Sequence, residues 1–415
     1  MGRSAMDVVL DRFEKKKDSW TIQPAKLKCG KWTISVKDDA LYDEIGRSEL
    51  CKQVYELQKE GLLLKGGWYQ TGSELEEIRY SPDKMVEFYR RTGRKPKYDT
   101  IQEMIEQVRA TYGRAMEAEV KPWIRKFLVE VYDSLLNSLQ EKGEIKKSLF
   151  SYYVHRDIYI KTILALSELR EPIYRRHFSK KYLGDSKSFE QKQESDWSIQ
   201  KQVINDAKKY HPIVSKNKDV MRDDEILQQL FIETYHQELA IKGGLRIWLN
   251  NKLVDTADFC YGVVLNAETL RYAKIDDVQV IKRVITIENK ANFVEAAYEK
   301  DTLIVFSHGF FSPKERQFLI ELKKHLNEEV EYYHSGDLDL GGMRIYIDIK
   351  SIFPKLKPLH MDQQTYLANI KEAEECTSEY LKKVQNLESP EELEELKSCI
   401  LQHKKIIEQE CLLYD

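Results

Sequence analysis

The sequence predicts a multidomain α+β chain whose C-terminal part is an α/β domain on a mostly parallel sheet. Three observations carry this. Strand-like and helix-like segments alternate from Val284 to Gly342, an order that favours parallel strands. Trp123, Phe127, Val131, Leu135 and Leu139 recur every four residues, so helix dominates from about Tyr98 to Gly143. Two further blocks, before residue 97 and from 151 to 235, each set helix-forming runs beside basic and glycine-containing segments. The chain therefore divides into 1–97, 98–150, 151–235 and 236–415.

In the first block, Ser48 is placed to cap a helix through Leu50, Val54 and Leu57, which Gly61 ends. Leu62-Leu63-Leu64 then reads as a strand, Lys65-Gly66-Gly67-Trp68 as a wing turn, and Glu77-Ile78-Arg79-Tyr80 as the returning strand. Helix then hairpin is the winged-helix order, which serves DNA contact and protein contact alike. Arg90 to Lys97 forms a basic linker, readable as a phosphate contact or as a solvated tether. The apolar stripe from Trp123 to Leu139 is a packing face, for the rest of the chain or for a partner.

An apolar helix from Ile160 to Leu169 leads into Arg175-Arg176-His177-Phe178-Ser179-Lys180-Lys181-Tyr182, followed by Gly184-Asp185-Ser186-Lys187. Cationic residues with interleaved aromatics neutralise phosphates, although a plain charged surface helix has the same composition. Arg175, Arg176, Lys180, Lys181 and Lys187 are the nucleic-acid candidates here. Glu238 to Asn250 and Tyr261 to Tyr272 read as strand-rich, with a turn at Lys242-Gly243-Gly244.

Next comes the alternating region. Val284-Ile285-Thr286-Ile287 is a short β-branched strand that delivers Glu288 and Asn289 at its end. A helix is expected over Asn292 to Tyr298, and a strand over Thr302 to Phe306. Ser312-Pro313-Lys314-Glu315 is a capping box opening a helix to Leu326. The strand Val330 to Tyr333 runs into His334-Ser335-Gly336-Asp337-Leu338-Asp339-Leu340-Gly341-Gly342. Near the C-terminus, Ser389-Pro390-Glu391-Glu392 reads as a second capping box, with Leu393, Leu396, Ile400 and Ile407 on one helix face.

The chemistry concentrates on three carboxylates. Asp337 and Asp339, at i and i+2, can project the same way from extended backbone, and the glycines beside them admit a bulky anion. A solvated Asp/Gly turn has the same residues. Glu288 at the end of another strand favours the metal reading, because ligands of α/β sheets sit beyond the carboxyl ends of strands. Hard oxygen ligands suit one or two Mg²⁺ or Mn²⁺ ions, and Glu288 could double as a general base. His308 and His334 flank the site, but an oxygen-rich Mg²⁺ site has little use for imidazole. Lys290 is the candidate for the scissile phosphate.

Composition narrows the class. The 415 residues suffice for about two or three domains. Charged residues make up 33% yet the net charge is only −3, so nucleic-acid binding must come from local basic faces. Cys29, Cys51, Cys260, Cys376, Cys399 and Cys411 form no CxxC pair, which argues against zinc and a disulfide framework and suits a reducing cytoplasm. No apolar run approaches about 20 residues, so no membrane role is expected. No GxxxxGK[ST] stretch is present, so any ATP-driven step belongs to a partner.

A glutamate ending one strand and Asp-x-Asp ending a later one resembles the toprim pattern of topoisomerases, primases and related nucleases. Ile287-Glu288-Asn289 with Asn292-Phe293, then Gly336-Asp337-Leu338-Asp339 with Gly341, is similar to the JetD family, nuclease subunits of Wadjet anti-plasmid defence systems. Phe178-Ser179, Leu183 to Lys187 with Glu190, Met361-Asp362 and Glu408-Gln409-Glu410 extend the likeness from Phe178 to Glu410. The resemblance implies winged-helix segments joined to a toprim domain, a helical arm used for assembly, and a metal-dependent endonuclease acting on double-stranded circular plasmid DNA. It implies a homodimer and SMC–kleisin-type partners that present the DNA. A rival likeness is to the topoisomerase VI A-subunit and meiotic recombination proteins, which cut by tyrosine attack. Their Lys-Arg-Asp-Ile-Tyr-Tyr string parallels His155 to Ile160, where Ile160 occupies the usual nucleophile position and Tyr159 is the remaining candidate. A DNA-binding subunit with a degenerate site is the third reading.

Overall fold

The computed structural model describes residues 3–37, 40–70, 72–192, 196–234 and 238–413. The boundary expected at 235/236 lies outside the described residues. Two compact units emerge, Met1–Leu164 and Ala165–Asp415.

The first unit is mainly helical. A helix over Ala5–Phe13 is closed by a Ser4/Asp7 capping box and buries Val8, Val9, Leu10 and Phe13. Its core continues through Ile34, Leu50, Val54, Ile78, Tyr80 and Phe88. The helix Arg47–Lys59 starts one residue before Ser48, on Gly46, whose φ of 91° breaks the preceding chain, so Ser48 is no cap. Glu77–Tyr80 forms a strand as expected, but its ladder partner is Trp32–Ser35. Leu62 to Leu64 contributes only an isolated bridge, Leu63 to Tyr80. The Gly66-Gly67 turn is obligatory: a Cβ on Gly67 would lie 2.1 Å from the Glu77 carbonyl oxygen.

Helices Lys97–Val108 and Pro122–Lys142 follow, and Trp123, Phe127, Val131, Leu135 and Leu139 are all buried. Trp20 anchors the long helix by donating to the Gln140 carbonyl at 3.1 Å and by packing over Gly143.

In the second unit, one six-stranded sheet positions the carboxylates. Its strands are β1 (Glu238–Lys242), β2 (Val263–Asn266), β3 (Arg283–Ile287), β4 (Thr302–Phe306), β5 (Glu331–Ser335) and β6 (Leu356–Pro358), in the order β6-β5-β3-β4-β1-β2. The pairings β6/β5, β5/β3 and β3/β4 are parallel, whereas β4/β1 and β1/β2 are antiparallel. The sheet is thus mixed: β6, β5, β3 and β4 run parallel, and β1 and β2 add an antiparallel flank. Residues Thr302 to Val305 are buried without alternation, as expected for a strand covered on both faces.

Helix α1 (Lys290–Glu295) follows β3, capped by Asn289, and ends before the expected Tyr298. Helix α2 (Pro313–Lys324) follows β4 with the expected Ser312/Glu315 capping box. Helix α3 (Leu340–Lys350) follows β5 with Asp339 as N-cap. Two expectations fail in part. Tyr261 to Tyr272 turns from strand to helix at Ala267, because Asn266 caps a helix by accepting from Thr269 N–H. Ser389 forms no capping box; a 3₁₀ turn Glu391–Leu393 precedes the helix Glu394–His403, and Ile407 lies beyond that helix, bridged to Leu338. Among the described residues no helix is long and apolar enough to cross a membrane. The six cysteines are free.

Candidate metal centre

From β3 the chain runs to β4 on one side, and from β5 to β6 on the other, so the ends of β3 and β5 flank a topological switch point. Such a point opens a crevice at the carboxyl ends of the strands. Glu288 is the first residue past β3, and its N–H continues the ladder to the Ser335 carbonyl at 3.0 Å. Asp337 is two residues past β5. Its main-chain N–H donates to Glu288 Oε2 at 3.3 Å, which draws the two strand ends together.

Asp339 is held harder still. Its Oδ1 accepts from Gly342 N–H at 2.7 Å, and its Oδ2 accepts from the Tyr380 hydroxyl at 3.1 Å. Tyr380 also accepts from Leu340 N–H at 2.9 Å, so one phenol orients the carboxylate and the first turn of α3. Two glycines make this approach possible. A Cβ on Gly336 would stand 2.5 Å from Glu288 Oε2, and one on Gly342 would stand 2.1 Å from the Asp337 carbonyl oxygen.

Crowded carboxylates in a recess resist ionisation. Burial, reinforced by the charges of Asp337 and Asp339, pushes the Glu288 carboxyl up to about 8. Burial pushes Asp337 up to about 7; the Gln409 N–H opposes this, and the charges of Asp339, Glu408 and Glu410 add to it. Burial raises Asp339 as well, against the hydrogen bonds from Gly342 and Tyr380. The all-oxygen chemistry of these side chains fits Mg²⁺ or Mn²⁺.

A C-terminal segment completes the site. Leu338 N–H donates to the Ile407 carbonyl at 2.8 Å, and Gln409 N–H donates to Asp337 Oδ1 at 2.7 Å. Asp337, Glu408 and Glu410 present ligand atoms all within 4.8 Å of one another, the set of carboxylates that the described residues bring within reach of one cation. Sequence reasoning gave Glu408, Gln409 and Glu410 no role at the site, although their Glu-x-Glu spacing matches that of Asp337 and Asp339. For Tyr380 the sequence carries no signal.

The two histidines play structural parts. Burial holds His334 neutral, down to about 3, with Thr286 Oγ1 2.8 Å from its Nδ1. His308 adopts φ 46° at the end of β4 and bonds Glu315 through Nε2 at 3.1 Å. Burial opposes its charge, but Glu315 and Glu225 together outweigh burial and raise it. Lys290 is exposed at the start of α1, its Nζ 4.8 Å from the Phe306 ring centre, beside a cavity of about 230 Å³ that His308 and Glu315 also line.

The basic candidates lie on a four-residue helix, Arg175–Phe178, that runs into a π-turn over Ser179–Leu183. Arg176, Lys180, Lys181 and Lys187 are exposed. Arg175 is withdrawn into an ion pair with Glu190 at 2.8 Å. Tyr159 is only 1% exposed, its ring packed against Phe127 and Tyr152, an environment unlike that of a nucleophile that must meet DNA.

The fold is that of a mixed α+β protein, with Glu288, Asp337 and Asp339 following two neighbouring parallel strands of a mixed sheet. Residues 246–415 match the family described as "Wadjet protein JetD, C-terminal". A curated protein of Bacillus cereus (strain Q1), "Wadjet protein JetD", is 26% identical over 363 residues, covering 86% of this chain and 83% of its own. The chain is thus similar to a Wadjet JetD protein over most of its length, and its C-terminal part matches the JetD C-terminal family.

Proposed function

We propose that this chain is the DNA-cleaving subunit of a Wadjet-type system, a metal-dependent endonuclease of toprim type that hydrolyses phosphodiester bonds of circular plasmid DNA in the cytoplasm. The observation that carries the reading is that Asp337 N–H reaches Glu288 Oε2 across the ends of β3 and β5, where burial and the charges of Asp337 and Asp339 raise the Glu288 carboxyl. When bound, one or two Mg²⁺ or Mn²⁺ ions supply Lewis acidity for activating water and for the charge on the attacking and leaving oxygens. Glu288, Asp337 and Asp339 would hold the cation, and Glu408 and Glu410, within 4.8 Å of Asp337, would add ligands on that side. Gly342 N–H and Tyr380 fix the Asp339 carboxylate, so its position does not depend on the ligand. Neutral His334 adds no competing positive charge.

Arg176, Lys180, Lys181 and Lys187 are exposed and would contact DNA phosphates, Arg176 beside Glu190 at 3.8 Å and Lys180 donating to the Gly184 carbonyl at 3.1 Å, with Lys290 nearest the carboxylates in sequence. Arg175 orders the element through Glu190. Winged-helix segments bind the duplex. The likeness to a Wadjet protein supports assembly with other Wadjet subunits; in this reading SMC–kleisin-type partners present the plasmid DNA, and a homodimer brings two sites to the two strands. Supercoiled plasmid incubated with this chain, its SMC-type partners, ATP and Mg²⁺ tests the reading. Nicked or linear product with protein-free ends is expected, and none with EDTA. Protein-linked ends, or no metal-dependent product from the assembled complex, would overturn it.

A further inference from the structure

Gln409 uses every hydrogen-bonding group it has, apart from its spare amide proton, on the two strand ends that carry Glu288 and Asp337 and on the helix that follows the first. Its main-chain N–H donates to Asp337 Oδ1 at 2.7 Å, and its carbonyl accepts from Asn292 Nδ2 at 3.1 Å. Its side-chain Oε1 accepts from the Asn289 N–H at 2.8 Å, directly after Glu288. Its Nε2 donates to Ser335 Oγ at 2.7 Å, on the last residue of β5. The side chain is 1% exposed, so these bonds form away from competing water. One residue, 72 positions downstream of Asp337, therefore ties the two strand ends together and touches one ligand directly.

We infer that Gln409 is a positioning residue: it sets the spacing between the Glu288 and Asp337 carboxylates and so makes the C-terminal segment part of the metal site. The inference rests on the metal-site reading above and deepens it. Partners that orient ligating carboxylates commonly control metal affinity as strongly as some ligands do. Gln409 touches no reacting atom. Its flanking residues, Glu408 and Glu410, are exposed and face Asp337 because Gln409 is turned inward.

The test is Mn²⁺ binding to the full chain, followed by titration calorimetry and by the Mn²⁺ electron paramagnetic resonance spectrum. Gln409→Ala deletes both side-chain bonds and keeps the main-chain donor to Asp337. Its Mn²⁺ affinity should fall about 10–100-fold, while the thermal transition moves by only a few degrees. A merely structural staple would lower the melting temperature and leave the affinity of the folded protein alone, and affinity within about twofold of wild type overturns the inference. If Gln409→Ala shows no cooperative transition, Ser335→Ala decides, because it removes only the partner of Nε2. That variant should bind Mn²⁺ about 3–10-fold more weakly, and unchanged affinity again overturns the inference. If the folded wild-type chain binds no Mn²⁺, the metal-site reading fails first and the role of Gln409 falls with it.

Discussion

Replacing Glu288 with Gln should stabilise the metal-free chain at alkaline pH and change little at pH 5. Burial and the charges of Asp337 and Asp339 raise the Glu288 carboxyl from 4.5 to about 8. A carboxyl raised on folding keeps its proton in the native state where the unfolded chain has already released it. The native state then binds more protons, so stability falls as pH rises from about 4.5 to about 8 and levels off above that. At 1.36 kcal/mol per pH unit the whole interval is worth at most about 5 kcal/mol. Shared titration with Asp337 leaves about 2–4 kcal/mol to Glu288 itself. Gln is neutral throughout and its carbonyl can still accept from Asp337 N–H, so the variant escapes this loss. In EDTA at pH 8.5, its site-bearing transition should melt roughly 5–10 °C above wild type. At pH 5 the two should nearly coincide. Adding Mg²⁺ at pH 8.5 should raise wild type and leave the variant nearly unmoved. A variant less stable than wild type at pH 8.5, or a gain equal at both pH values, would refute the claim that ionised Glu288 is strained without a cation.

Gly336→Ala places a methyl 2.5 Å from Glu288 Oε2 and 2.9 Å from His334 Nε2; a loss of about 1–3 kcal/mol in denaturant unfolding, with weakened Mn²⁺ binding, is expected. Changing Arg176, Lys180 and Lys181 together to Ala should lower the slope of log affinity against log salt by about 0.9 for each phosphate no longer neutralised. Fluorescence anisotropy on duplex DNA across a salt series measures this, and an unchanged slope removes the element from the interface. Tyr159→Phe, at a position 1% exposed, should keep plasmid cleavage by the assembled complex within about twofold and cost about 1 kcal/mol at most through its missing hydroxyl. Abolished cleavage with an intact fold would restore the tyrosine mechanism.

The strands carrying the site were legible because their signals are local. Val284 to Ile287 and Thr302 to Phe306 are β-branched or apolar runs of strand length, and Ser312-Pro313-Lys314-Glu315 spells its own helix start. Glu288, Asp337 and Asp339 could be read as strand-end residues for the same reason. The antiparallel flank was not legible, since the direction of β1 against β4 depends on pairing across some 60 residues of chain, which no local pattern encodes. The partners of the carboxylates were hidden likewise. Tyr380 and Gln409 reach Asp339 and Asp337 from 41 and 72 residues away, by single hydrogen bonds that leave no periodicity. Ser48 misled because a good capping residue sits beside Gly46, whose backbone starts the helix instead. Arg175 looked available because its ion-pair partner, Glu190, lies beyond the turn that folds back on it.

The most direct measurement of the central claim is anomalous diffraction from crystals of the wild-type chain soaked in Mn²⁺. An anomalous peak bounded by the carboxylates of Glu288, Asp337 and Asp339 is expected, with any second peak between Asp337, Glu408 and Glu410. Both peaks should vanish in Asp337→Ala. A fully soaked crystal with no peak at the ends of β3 and β5, or a peak there that survives Asp337→Ala, would contradict it.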